Sequence, residues 1–264
     1  MKNLKRTLFV DLKKAFMSPA IYIVILLLIA AYMIDTLPLC SDGETSLCNI
    51  IKSKAGGIGA VCLLGFCISV MPYTLQHLKE TDNNCIYNYI TRNNIFEYSI
   101  SKIIAVCLTT FFAVFISNII YLFIFLLMDM NISDNFFYLT YQEDHSLIAD
   151  EKYIAFIFLI FMTEAFRGVF FSIVSLCMSA FIKNKFLIVS LPVVFYFGIG
   201  RFLFLYLNVP DWLNMAVIYQ PMTIYAPNDI KSFFMTLMVT LFMIALFGTL
   251  FTIKVRRCIE NGKL

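Results

Sequence analysis

Long apolar runs, separated by short polar segments, set the pattern of this chain. A helix needs about 20 apolar residues to cross the roughly 30 Å of hydrocarbon in a bilayer. Six runs reach that length, with bounds near Ala20–Leu37, Ala55–Leu75, Ile100–Met128, Tyr153–Ile182, Phe186–Leu207 and Ser232–Ile253. Backbone groups in lipid must pair within their own segment, and no barrel-like alternation is present. The pattern therefore predicts an all-α membrane protein with six transmembrane helices.

The N-terminal segment, residues 1–18, has a different period. Leu4, Leu8, Leu12 and Phe16 recur every four residues, with lysines and an arginine between them. This spacing predicts an amphipathic helix at the membrane interface. Its basic face either contacts anionic headgroups or serves only as a charged anchor. Pro19 is suited to begin the first span, because proline is tolerated in a helix's first turn.

A second mixed segment, residues 208–230, lies between the fifth and sixth spans. It is half apolar, carries Trp212, and is broken by Pro210, Pro221 and Pro227. Since proline interrupts a helix, two short pieces are predicted here. They form either a re-entrant segment that dips into the outer leaflet or an ordinary interfacial loop.

Composition agrees with the pattern. The 264 residues are 61% hydrophobic and only 14% charged, with a mean hydropathy of +0.83. Soluble domains have about 45–50% apolar and about 25% charged residues, so a soluble protein is excluded. The length predicts a single domain, 1–264, and a net charge of +3 is too small to indicate a nucleic-acid partner.

The basic residues determine the predicted orientation. They concentrate on one side of the predicted membrane, in the N-terminal segment, the second and fourth connections and the C-terminal tail. The opposite side has few: Lys52, Lys54, Lys152 and Lys231. By the positive-inside rule, both termini are cytoplasmic in a multi-pass protein of the cell membrane.

Charged residues occur well inside the fourth and fifth predicted spans. Glu164 and Arg167 lie in the fourth span, three residues apart, so they share a helix face and can bridge each other. Arg201 lies in the fifth span and can extend toward the interface. A lone charge in hydrocarbon costs from about 2.5 kcal/mol upward. The pair therefore either fixes helix packing or forms a polar patch along a pathway or subunit interface.

The sequence carries little sign of catalysis or metal binding. Cys40 and Cys48 lie in the first outer loop, where they form either a disulfide or two free thiols. His77 and His145 are isolated, and no zinc, nucleotide-binding or nucleophile motif is present. The prediction is a protein that is not itself an enzyme and binds no metal.

The cytoplasmic segment 79–99 is unusually detailed for a connection between spans. Asn94 and Glu97 have capping-box spacing, which predicts the start of the third helix. Just before it lies a helical hairpin tip with aromatic, apolar and charged side chains: Ile86, Tyr87, Tyr89, Thr91 and Arg92. Such a mixture is typical of a protein interface, although these side chains could also rest on the bilayer surface.

The run "TRNNIFEYSISK" resembles the cytoplasmic signature of the type-2 ATP-binding-cassette exporter permeases. Ser101 takes the small position of that signature, and Glu80 resembles the acidic residue that opens the family's coupling segment. Arg92 stands in place of the family's proline and Ile95 in place of its arginine. The residues that match in register are Thr91, Glu97, Tyr98 and Lys102.

The resemblance implies a permease that pairs as a homodimer or heterodimer within membrane lipids. Each permease would rest on a cytoplasmic ATPase subunit, which binds the ATP and Mg²⁺, so this chain binds no cofactor directly. Segment 79–99, with Glu80 and the hairpin tip, would be the coupling helix. A hydrophobic or amphipathic cargo is expected, such as an antimicrobial peptide, lipid or drug exported from a bacterium. The alternative is an immunity or sensor protein that sequesters a ligand without pumping.

Overall fold

The computed structural model describes residues 2–41, 60–83, 94–127, 147, 152–198, 206–207, 210, 214–219 and 228–260. Within these ranges the regular structure is entirely helical. The all-α fold class is therefore confirmed. The helices, numbered along the chain, are α1 (Lys2–Phe16), α2 (Pro19–Ser41), α3 (Ala60–Val70), α4 (Gln76–Asp82), α5 (Ile95–Leu127), α6 (Tyr153–Ser179), α7 (Lys185–Val194), α8 (Met215–Ile218) and α9 (Asp229–Glu260).

Among the residues described, α5, α6 and α9 are each long and apolar enough to cross a membrane. Helices α1 and α2 meet at a bend of 49°, and they make a fourth span if the pair is counted as one. The 33 residues of α5 extend over about 50 Å, well beyond the thickness of the hydrocarbon layer. The chain is therefore a helical membrane protein.

Several helix ends follow directly from local sequence. Helix α2 begins at Pro19, as predicted. Helix α3 ends at Val70, because Pro72 has no N–H with which to continue the ladder, and the chain turns before α4. The prediction that the second span continues to Leu75 was wrong for this reason. The apolar helix that begins at Lys185 is described only to Gly198, so the rest of the predicted fifth span lies outside the described residues.

Helix α6 is the centre of the packing. It contacts α3, α5, α7 and α9, while α1 and α2 pack on α5. About 67% of the apolar stretch of α6 is buried, against 17% of that of α9, so α9 is peripheral and presents most of its apolar surface outward.

Helices α5 and α6 run antiparallel, and polar contacts mark their register. Asn118 Nδ2 donates to Glu164 Oε2 at 2.8 Å, and Thr110 Oγ1 donates to Ser172 Oγ at 3.0 Å. These contacts are eight residues apart on each helix. Midway between them, Gly168 lies against α5, where an added Cβ would be 3.0 Å from Val114 Cγ2. The glycine lets the two helices approach closely, as small residues do in membranes.

Leucine at position 168 is therefore expected to force α5 and α6 apart. Overpacking of this kind costs about 1–3 kcal/mol, measured as a loss of unfolding free energy in detergent micelles. Gly198→Leu is the matched control, because an added Cβ there has nothing within 4 Å, and its effect should stay within about 0.5 kcal/mol. Equal losses in the two variants would contradict the close approach at Gly168.

Candidate functional site

The most conspicuous polar feature is a cluster of buried side chains around Lys102, referred to below as the Lys102 cluster. Helix α5 supplies three members from its first two turns, and α4 supplies two that are three residues apart on one face. Helix α1 and the turn before α4 supply one each. The members are Asp11 of α1, Tyr73 of the turn, His77 and Glu80 of α4, and Tyr98, Ser101 and Lys102 of α5.

The Lys102 ammonium uses all three of its hydrogens within the cluster. Its Nζ lies 2.7 Å from Glu80 Oε1, 2.9 Å from Asp11 Oδ1 and 3.2 Å from Tyr73 Oη. The lysine is only 1% exposed. A buried ammonium is tolerated when carboxylates lie beside it and each N–H has an acceptor, and both conditions hold here.

The two carboxylates are bonded from other sides as well. Tyr73 Oη donates to Asp11 Oδ1 at 3.1 Å, and Ser101 Oγ donates to Asp11 Oδ2. Tyr98 Oη donates to Glu80 Oε2 at 3.0 Å. Every carboxylate oxygen thus accepts a hydrogen bond, which compensates much of the cost of burying two negative charges beside one positive charge.

His77 completes the cluster in its neutral form. Its Nδ1 lies 3.1 Å from Tyr98 Oη. Since the single hydroxyl proton of Tyr98 is donated to Glu80, the proton in this contact belongs to His77 Nδ1. Burial, and secondarily the positive charge of Lys102, lower the pKa of His77 to about 4. The imidazole also contacts the Phe251 ring of α9, with the ring centroids 5.0 Å apart, so the cluster reaches a fourth helix.

The Lys102 cluster links three helices to one another. It joins α1, α4 and α5 through short ionic hydrogen bonds among side chains that are almost completely buried. Removing the charge of Lys102 would leave two carboxylates buried without their cation, so this side chain holds α1, α4 and α5 in their observed arrangement.

The predicted coupling segment is described only at its two ends. Helix α4 ends at Asp82, and the tip residues Ile86, Tyr87, Tyr89, Thr91 and Arg92 lie outside the described residues. Glu80 points inward to Lys102 instead of outward to a partner. Asn94 directly precedes α5 and accepts a backbone hydrogen bond from Tyr98 N, and Glu97 lies in the first turn, where a negative charge is favourable.

The charges predicted inside the membrane lie in a second, separate place. Arg167 Nη2 is 3.9 Å from Glu164 Oε1, and the guanidinium centre lies 5.1 Å from the centroid of the Phe66 ring. Asn118 Nδ2 donates a hydrogen bond to the other carboxylate oxygen, Glu164 Oε2. Arg201 and Cys48 lie outside the described residues. The backbone of Cys40 belongs to α2, but its side chain is not described.

Sequence reasoning missed Asp11, Tyr73 and Asn118. On α1 the completely buried face is Thr7, Asp11 and Ala15, whereas the predicted stripe of Leu4, Leu8, Leu12 and Phe16 is only half-buried beside it. An acidic residue four positions from a threonine and an alanine, inside a basic helix, is the signal that could have revealed this face.

Comparison of the chain with protein-family models, with curated proteins and with solved structures found no match. Among the described residues, no group of three His, Cys, Asp or Glu side chains is arranged to hold a metal ion.

Proposed function

We propose that this chain is the permease subunit of an ATP-driven exporter in a bacterial cell membrane. It has six spans with both termini in the cytoplasm and pairs with a second permease. A separate cytoplasmic ATPase subunit supplies the energy, and the cargo is hydrophobic or amphipathic, with an antimicrobial peptide as the favoured class.

The observation that carries this proposal is the position of the Lys102 cluster relative to the predicted coupling tip. Glu80 lies on the helix just before the tip and Lys102 on the helix just after it, and they meet at 2.7 Å. Any push on the tip is therefore delivered to α4 and α5 together, and through Asp11 to α1. A buried cluster of ionic hydrogen bonds at this point is suited to a protein that transmits force from a partner subunit into its spans.

The tip itself provides the first functional test. Tyr89→Ala combined with Arg92→Glu is expected to abolish co-purification of the ATPase or to leave ATP hydrolysis without export. The physical reason is that truncating an aromatic anchor and reversing a charge both weaken a protein interface. Export is measured as ATP-dependent efflux of a labelled amphipathic peptide from cells or proteoliposomes.

A matched control makes the same two kinds of substitution on the outer side of the membrane in the proposed topology. Tyr206→Ala with Lys231→Glu truncates a tyrosine and reverses a basic charge in the same way, at two side chains that are exposed, but it should leave ATPase binding and efflux intact. Unchanged assembly and efflux in the tip variant would refute the coupling role. A wild-type chain that retains no ATPase, yet protects cells from the peptide, would favour the sequestering immunity protein instead.

A further inference from the structure

A small cavity lies beside Glu164, where α2, α3, α5 and α6 meet. It has a volume of about 20 Å³ and is lined mainly by apolar side chains and glycine. Its polar lining comes from Tyr32, Ser69, Glu164 and Arg167. A cavity needs about 10–15 Å³ measured in this way to hold one water molecule, so there is space for one.

The ion pair beside the cavity has the spacing of a bridged contact. Arg167 Nη2 and Glu164 Oε1 are 3.9 Å apart, too far for a direct hydrogen bond. A water oxygen about 2.8 Å from each atom closes this triangle with an angle of roughly 90° at the water, an acceptable geometry for a bridge.

Ser69 of α3 provides a third hydrogen-bond partner for such a water molecule. Ser69 Oγ donates its proton to the Phe66 carbonyl at 2.9 Å, and its oxygen can still accept a hydrogen bond. Glu164, Arg167 and Ser69 together thus offer two acceptors and one donor, which is the usual number of partners for a buried water.

We propose that this cavity is a binding site for one ordered water molecule that links α3 to the Glu164–Arg167 pair of α6. The charges of the pair cancel, so the site favours a neutral polar ligand, and the guanidinium opposes a metal cation. The water supplies the solvation that an ion pair lacks in hydrocarbon. This inference is independent of the transport proposal and holds whether or not the chain is a permease.

The test compares two phenylalanines that are almost equally buried. Phe66 is 3% exposed and lines the cavity, whereas Phe171 is 2% exposed, lies 4.8 Å away between ring centroids and does not line it. X-ray hydroxyl-radical footprinting of the full chain in lipid nanodiscs generates radicals from bound water at the site. Phe66 is expected to be oxidised several-fold faster than Phe171, and equal rates would overturn the proposal.

A second measurement does not depend on radical chemistry. A high-resolution density map of the same nanodisc sample is expected to show one peak within hydrogen-bond distance of both Glu164 and Arg167. A direct contact between the two side chains, with no density in the cavity, would overturn the water site.

Discussion

Methionine in place of Lys102 is expected to lower the free energy of unfolding by about 3–5 kcal/mol, because it leaves two buried carboxylates without their cation. Methionine preserves much of the length and apolar stem of the side chain, so the loss reports mainly the charge and its three hydrogen bonds. The measurement is denaturant or thermal unfolding of the purified protein in detergent micelles.

The chain offers a matched control for this substitution. Lys185 Nζ also lies near a carboxylate, at 3.4 Å from Asp82 Oδ2, but both side chains are about half exposed, at 53% and 47%. Exposed ion pairs contribute about 0–1 kcal/mol, so Lys185→Met should have little effect. Similar losses in the two variants would contradict the role assigned to the Lys102 cluster.

A rescue experiment separates charge imbalance from general damage to the fold. When Lys102→Met is combined with Asp11→Asn and Glu80→Gln, no buried charge remains without a partner. Buried ionic groups replaced together are often tolerated, so the triple variant should recover a substantial part of the lost stability. A triple variant less stable than the single one would show that the hydrogen-bond geometry, and not the charge, is decisive.

Acid is expected to destabilise the protein through His77, by an amount of the order of 3 kcal/mol between pH 6.5 and pH 4. The pKa of His77 is about 4 in the folded protein and 6.5 in the unfolded chain. In this window the unfolded chain therefore binds a proton that the folded protein does not, and stability falls as the pH falls. Above about pH 7.5 both states are neutral at His77, and its contribution is constant.

The His77→Gln variant isolates this effect from the carboxylates that titrate in the same range. Glutamine is neutral at every pH and can still donate a hydrogen bond to Tyr98. Its stability should decline less steeply than that of the wild type from pH 6.5 to pH 4, as measured by unfolding midpoints at matched ionic strength. Parallel pH profiles for the two proteins would mean that His77 takes up its proton without disturbing the fold.

Sequence alone was sufficient where one local signal dominates. Apolar runs located α5, α6 and α9, and Pro19 and Asn94 marked helix starts, because these features depend on the chain within a few residues. The predicted end of the second span at Leu75 was wrong because the prediction followed hydropathy alone. Helix α3 ends at Val70, since Pro72 has no N–H with which to continue the helix.

The Lys102 cluster was harder to predict because its members are distant in sequence. Lys102 and Glu80 take part in the family resemblance, but Asp11 is 91 residues from Lys102, and its local signal is only the four-residue spacing from Thr7 and Ala15. Asn118 and Glu164 likewise come together only when α5 and α6 pair. Contacts of this kind follow from tertiary packing, which no single-segment pattern encodes.

The length of α5, together with its close contact at Val114, gives this helix the geometry of a lever. Val114 lies about 29 Å along the axis from Ile95 and about 20 Å from Leu127, and Gly168 provides a narrow fulcrum between them. If α5 pivots as a rigid rod at this contact, a sideways displacement at Ile95 is returned at Leu127 with opposite sign and about two thirds of its amplitude. Under the proposed transport function, a larger side chain at position 168 would widen this contact and reduce the displacement that reaches Leu127.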